Sequence, residues 1–224
     1  MQGGPFSAAN WQRLFTDWHL FAQGFLRTLL ISGLGLLFTL VIGIALGLML
    51  CSKAKPLHAV IRGYMSLFQN TPLVMQVFIF YNVLPRIGIR WDTVSIGVIG
   101  LALYTGAYAT DIVASAIRAV PLGQMEAASS QGFGFLGSMF RVVLPQAIKI
   151  GLPPMTNQAV NLIKNSSVMA VIAGGELMYV ANSWGYDKII YGPTFVVTGL
   201  LYLVICLPIS LLARKLEKRS MSNG

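Results

Sequence analysis

Charge is the scarcest commodity in this chain. Of its 224 residues only 10% are charged, with 7 acids against 16 Lys and Arg, while 55% are hydrophobic. A soluble domain carries about a quarter charged residues, so the shortage names lipid as the solvent for much of the chain. Cysteine is nearly absent. Cys51 and Cys206 exclude a disulfide framework and, lying in or at the end of apolar runs, read as small buried hydrophobes. Histidine is limited to His19 and His58, far apart, and no Ser-His-Asp, paired-carboxylate or metal-ligand spacing occurs. No catalytic, metal-binding or cofactor-binding residue is therefore expected. No GxxxxGK[ST] run is present, so the chain has no nucleotide-binding loop of its own. The first residues lack a basic stretch followed by an apolar core, and no cleaved signal peptide is expected. The net charge of +9 would suit nucleic acid, but long stretches hold no charge at all, and no nucleic-acid partner is expected.

What is present is apolar sequence in membrane-sized pieces. A helix needs about 20 apolar residues to cross a bilayer. Five stretches qualify, and the sequence predicts an all-α membrane protein of one domain, 1–224, with spans at about 22–52, 60–85, 93–118, 165–184 and 189–214. Alternating sides of these spans hold 11 and 5 of the Lys and Arg residues. Basic residues favour the cytoplasm, so the N-terminus is expected outside and the C-terminus inside. In the first span Gly43 and Gly47 form a small-xxx-small pair suited to close helix approach.

The segment 121–145 lands on the cytoplasmic side. Pro121 suits the first turn of a short helix that Glu126, Ala127 and Ala128 continue. Gly132 and Gly134 suit a sharp turn. A second short helix then runs from Phe135 to Leu144 and stops before Pro145. Phe133, Phe135 and Phe140 are large apolar groups on a loop that faces water, which suggests a partner's pocket. The rival reading is an amphipathic segment lying on lipid head groups, with Arg118, Arg141 and Lys149 above it.

The run Glu126-Ala127-Ala128, then Gly132, then Val142-Val143-Leu144-Pro145 resembles the EAA loop of permease subunits of ATP-binding-cassette importers. Three further stretches are similar to permeases for polar amino acids. These are Phe68-Gln69-Asn70-Thr71-Pro72-Leu73, the run from Ala107-Tyr108 to Gly123-Gln124, and Asn161-Leu162-Ile163-Lys164-Asn165-Ser166-Ser167. Gln69 stands where that family often has Arg, Asp111 where it has Glu, Ala114 where Arg is frequent, and Asn165 where it has Asp; the last is similar to the glutamate and aspartate branch. The resemblance implies a type I importer fold, a second permease subunit (the same chain or a related one), ATPase subunits that bind ATP and Mg, and an extracytoplasmic amino-acid-binding protein docking around 86–92 and 183–188. It implies that Glu126, Ala127, Ala128, Gly132, Phe133, Gly134, Phe135, Leu144 and Pro145 couple to the ATPase while alternating access moves a polar amino acid inward. Glutamate or aspartate is the first cargo expected, with arginine, histidine, glutamine or another polar amino acid as the alternative. An ion-coupled secondary transporter is the distant rival, with Asp111 and Glu176 as proton sites.

Two spans read as broken. Thr71-Pro72 is a cap and first-turn pair inside an apolar stretch, and Asn165, Ser166 and Ser167 are capping residues where another span begins. Helix starts inside a bilayer are suited to holding a carboxylate. Gln69, Asn70, Thr71, Asn165 and Ser166 are therefore expected near the cargo path. Lys164 adds charge for a carboxylate or snorkels to the interface. Asn157 and Asn161 share a face and either line the path or bond across helices. Asp111 is an intramembrane acid whose readings are a cargo contact, neutralisation of Arg118, or a bond to a neighbouring helix. For Glu176 the readings are a cargo ammonium, a pair with Lys164 or Lys188, or the protonated acid.

Overall fold

The computed structural model describes residues 4–52 and 54–222. Lys53, counted above among the cytoplasmic bases, lies outside them, as does the side chain of Arg219. Among the described residues every regular element is helical. In chain order they are α1 (Ala8–Thr16), α2 (Trp18–Met49), α3 (Lys55–Gln69), α4 (Leu73–Val83), a 3-10 turn (Leu84–Ile87), α5 (Thr93–Arg118), α6 (Leu122–Ser130), α7 (Phe135–Ser138), a π turn (Met139–Val143), α8 (Leu144–Asn165), a 3-10 helix (Ser166–Ile172), α9 (Leu177–Lys188) and α10 (Gly192–Ser222). Among the described residues four stretches are long and apolar enough to cross a bilayer: Trp18–Met49, Thr93–Arg118, Phe135–Ile172 and Gly192–Lys218; Leu73–Ile87 is a shorter apolar helix.

Two expected spans differ. The stretch at 60–85 is α3 and α4 with a break at Asn70–Pro72. Thr71 does not cap α4: Pro72 takes that position in extended backbone (φ −63°, ψ 132°). A proline pushes its predecessor out of the helical region, and Gln76 reaches back, its Nε2 donating to Thr71 Oγ1 at 2.7 Å. The stretch at 165–184 is not one helix. The chain turns through Ala173 (φ 55°) and Gly175 (φ 70°) before α9 begins. The continuous helical run lies upstream, over Phe135–Ile172.

That upstream run passes straight through Pro145, where the sequence predicts a stop. The π turn absorbs the proline. Leu144 N–H donates to Met139 O, five residues back rather than four, which shifts the ladder ahead of the residue that lacks a donor. Pro153 and Pro154 also sit inside α8.

The chain forms two compact units. The first contains 1–37, 71–102 and 161–208, and the second 38–70, 103–160 and 209–224. The core of the first gathers Leu14, Phe21, Leu177, Ala181, Trp184, Ile190 and Val197. Trp184 is fixed twice there, its Nε1 donating to Asp17 at 2.8 Å and its ring meeting Phe21 edge-on at 5.7 Å. The core of the second gathers Ala116, Ile117, Val120, Val143 and Ala147, with Cys51, Met125 and Met139 against it. Both cysteines are free thiols. Within the second unit α2 and α5 touch through the glycines singled out above. A Cβ built on Gly43 lies 2.5 Å from Ala109 Cβ, and one on Gly47 lies 2.6 Å from Val113 Cβ. Only glycine permits that approach.

Candidate functional site

The segment 121–145 folds into a helical knuckle whose turn is closed by backbone alone. Phe133 N–H donates to Ala128 O at 3.2 Å, and Gly132 N–H donates to Ser129 O at 3.0 Å. This paired pattern is the Schellman ending of a helix, and it puts the residue after the cap in the left-handed region. Gly132 is there, at φ 87°. Gly134 is not: it caps α7 in extended backbone (φ −67°, ψ 169°) that any residue adopts. Pro121 is the cap of α6 rather than its first helical residue.

The three residues Glu126, Ala127 and Ala128 divide their duties. Ala128 is 4% exposed and faces the unit's interior. Glu126 and Ala127 face outward. The aromatics divide too. Phe133 is half-buried, with the Arg141 guanidinium 5.4 Å above its ring. A Cβ on Gly137 would touch that ring at 3.4 Å, so α7 lies directly against it. Phe133 is therefore the hub of the knuckle and not part of its outer face. Phe135, Leu136 and Phe140 are 64–68% exposed, and Leu122 is 82% exposed. Sequence reading missed Leu122 and Leu136; the available signal was that each is a large apolar side chain on the same loop as the exposed aromatics. It also missed the clasp between the knuckle's arms, where Gln146 Nε2 donates to Gln124 Oε1 at 3.2 Å. Leu144 packs against the second unit's core, and Pro145 is exposed. These two shape the knuckle's exit into α8 rather than its outer surface.

The residues expected along the cargo path fall into two groups. Asn70, Asp111, Asn157, Asn161 and Lys164 are exposed on apolar helices or at their ends. Asp111 shares a face of α5 with Tyr104, Tyr108, Ser115 and Arg118. Arg118 donates to Ser115 Oγ at 3.2 Å and forms no ion pair with Asp111 among the described residues. On α3, Gln69 meets the same helix: its Nε2 donates to Ala107 O at 3.1 Å, and Tyr108 Oη donates to Gln69 O at 3.4 Å.

Of the remaining residues, Ser166 and Glu176 are turned into the protein's own backbone. Ser166 is buried and donates back to Ile163 O at 2.7 Å, and Ser167 does the same to Lys164 O at 2.7 Å. The helix runs on past Asn165 into 3-10 turns, so no free helix start exists at 165–167, contrary to the capping expectation. The helix start lies at α9, and Glu176 occupies it. Its Oε2 accepts from Met178 N–H at 2.6 Å and from Tyr202 Oη at 3.0 Å; its Oε1 accepts from Tyr179 N–H at 2.8 Å. Leu177 N–H is taken by Thr28 Oγ1 at 3.1 Å. A carboxylate at a helix start meets both free donors and the positive end of the helix dipole. Glu176 forms no ion pair with Lys164 or Lys188 among the described residues. Lys188 instead pairs with Asp187 at 2.8 Å, which holds the ammonium above its ordinary range.

With this geometry in hand, the comparisons are unambiguous about family. Residues 39–222 match the family described as binding-protein-dependent transport system inner membrane component. The chain is 38% identical, over 92% of its length and 95% of the relative's, to the probable glutamine ABC transporter permease protein GlnM of Bacillus subtilis (strain 168). It is 32% identical, over 90% of its length and 87% of the relative's, to the L-cystine transport system permease protein TcyB of the same organism. A solved structure of an amino acid ABC transporter with histidines superimposes with a TM-score of 0.85 at 30% identity, covering 93% of this chain and 97% of that one. The inward-facing MetNI methionine ABC transporter shares the fold, with a TM-score of 0.71 at 18% identity over 90% of this chain and 98% of that one. The chain belongs to the inner-membrane permease family of binding-protein-dependent transport systems, and it is an amino acid ABC importer permease.

Proposed function

We propose that this permease works with separate ATPase subunits seated on the knuckle at 121–145, with a second permease subunit beside it, and that an extracytoplasmic binding protein delivers a polar amino acid to it. One observation carries the reading: the knuckle packs one face into its own core through Ala128 and Phe133 and turns four large apolar side chains, Leu122, Phe135, Leu136 and Phe140, to the outside. Apolar groups gathered on a rigid, hydrogen-bonded turn suit insertion into a protein pocket. ATP and Mg belong to the partner. When ATP closes the paired ATPases, a body seated in such a pocket moves with them, and access to the cargo path alternates.

Basic residues support a cytoplasmic knuckle. Along α8, Lys149 and Lys164 lie about 22 Å apart at 1.5 Å per residue, so Lys164 belongs with the opposite side. The balance then becomes ten against six and keeps its sign, with the N-terminus outside and the C-terminus in the cytoplasm.

Asn70, Asp111, Asn157, Asn161 and Lys164 line the cargo path, because they place polar groups on the exposed faces or ends of membrane helices. Gln69, Thr71, Asn165, Ser166 and Glu176 shape the path by fixing helix ends. Glutamate or aspartate is the first cargo, on the strength of Asn165. Glutamine is the second, favoured by the 38%-identical relative whose name specifies it.

Purification from native membranes tests the partner: an ATPase subunit should accompany the wild type and be lost from Leu136→Glu. Retention by that variant would sink the docking reading. Competition of labelled glutamate uptake by unlabelled glutamine, arginine and histidine separates the cargoes.

A further inference from the structure

Arg27 lies on α2 at the point where charge stops; the next charged residue is Lys53. A run of that length and hydropathy occupies hydrocarbon, which places Arg27 at head-group level of the leaflet from which the N-terminal end of α2 emerges. Helix α9 packs along this part of α2, with a Cβ built on Gly24 lying 3.0 Å from Leu177 Cα. Between the two helices lies an open cleft of about 690 Å³.

The cleft's two charges are not equivalent. Asp187, near its mouth, is already neutralised by Lys188 at 2.8 Å. Arg27 is exposed and forms no hydrogen bond or ion pair with any described residue. Its guanidinium rests on Gly175, at φ 70°, where any side chain would collide with Nη1. The floor of the cleft is thus a glycine notch that lets a free, planar fork of donors lie flat. Directly below, Leu26, Leu30, Leu34 and Leu37 continue down one face of α2, 39–63% exposed. A single amino acid does not fit the two charges. Gly175 and Asp187 are twelve positions apart, on the order of 15 Å along the helix, well beyond the spacing of one α-carboxylate and its ammonium.

We propose that this cleft binds an anionic phospholipid, with the phosphate on Arg27 and the acyl chains along the leucine face. Guanidinium matches a phosphate with two parallel hydrogen bonds, and basic pockets between membrane helices hold lipid head groups in this way. The site rests on residence in the membrane and not on coupling to an ATPase.

The test is lipid retention. The full chain is reconstituted in phosphatidylcholine nanodiscs containing a minor fraction of phosphatidylglycerol, released into mild detergent, and weighed intact by native mass spectrometry. Wild type should retain phosphatidylglycerol in preference to phosphatidylcholine. Arg27→Gln should reduce that retention about fivefold, Arg27→Lys should recover part of it, and Arg90→Gln should leave it unchanged. Gly175→Ala, which displaces the guanidinium without removing it, should also reduce it. Equal retention by wild type and a helical, monodisperse Arg27→Gln overturns the site. So does release of the lipid by millimolar inorganic phosphate, which would identify a simple anion site. Should Arg27→Gln fail to fold, the Arg27→Lys and Gly175→Ala pair decides: retention unchanged in both overturns the site.

Discussion

Replacing Gly132 separates two explanations of the knuckle, bulk and backbone angle. A Cβ built on Gly132 meets nothing within 4 Å, so size is no obstacle there. The backbone is the obstacle, at φ 87°. A non-glycine residue in this region costs about 1–2 kcal/mol. Asn is penalised least and β-branched residues most. The two bonds that close the turn, from Gly132 and Phe133 to Ser129 and Ala128, contribute about 0.5–1.5 kcal/mol each. One substitution therefore cancels roughly one bond, and an open turn begins to compete with the native one. The expected order of retained coupling is Gly, then Asn, then Ala, then Val, although Asn is larger than Ala. The assay is the amino acid moved per ATP hydrolysed by the reconstituted importer, with ATPase activity measured alongside. Hydrolysis should persist while transport per ATP falls, by about fivefold to thirtyfold for Ala if the turn population sets coupling. An order that follows side-chain volume, with Asn below Ala, would refute the reasoning.

Gly43→Ala places a methyl 2.5 Å from Ala109 Cβ and 3.0 Å from its carbonyl carbon. α2 and α5 must part by about 1 Å to restore a normal carbon contact, and overpacking of this kind costs about 1–3 kcal/mol. The thermal midpoint in detergent should fall, while that of Gly33→Ala, where nothing lies within 4 Å, should not. Glu176→Ala strips acceptors from the N–H groups of Met178 and Tyr179, at about 1–3 kcal/mol for each donor left buried. Tyr202→Phe removes one hydroxyl from the same carboxylate and should lower the midpoint less. Asp92 opens α5: the Ser95 hydroxyl, and after it the Ser95 N–H at 3.2 Å, hold its carboxyl below the ordinary value of 3.8. The folded pKa is depressed, so the contribution is present above 3.8 and lost as pH falls through the lowered value. Asp92→Asn should lower the thermal midpoint slightly at neutral pH, where the contribution is fully present, and flatten its decline over that acid window.

How much of this was legible in the sequence depended on whether a signal was local. α5 spans 93–118, as the charge-free run at 93–110 and its apolar continuation past Asp111 indicate, and the Gly132 turn follows from a glycine placed one residue past a helix cap. The closely packed pair Gly43 and Gly47 was readable because four-residue spacing of small residues is itself a packing signal. The helical run across 135–172 was not readable. Pro145, Pro153 and Pro154, with Asn157, Asn161 and Lys164, make it look like a loop. The π turn that carries the helix past Pro145 is a property of the ladder, not of any residue type. Glu176 was visible as an acid in an apolar stretch, but its task was not. Glu lies outside the usual capping set of Ser, Thr, Asp and Asn, and the partners that define it, Thr28 on α2 and Tyr202 on α10, are remote in sequence. The same remoteness hid the Arg27 notch. Gly175, at φ 70°, reads as an ordinary breaker, and only when α2 is laid beside it does a guanidinium 148 positions away come to rest on it. Helix ends were therefore misread wherever a distant side chain, rather than the adjoining residues, satisfies the free backbone groups. The helix starts expected at Thr71 and Asn165 are not there: Pro72 caps α4 and the helix runs on through Asn165, while the buried start at α9 is met by the protein's own Glu176 carboxyl group.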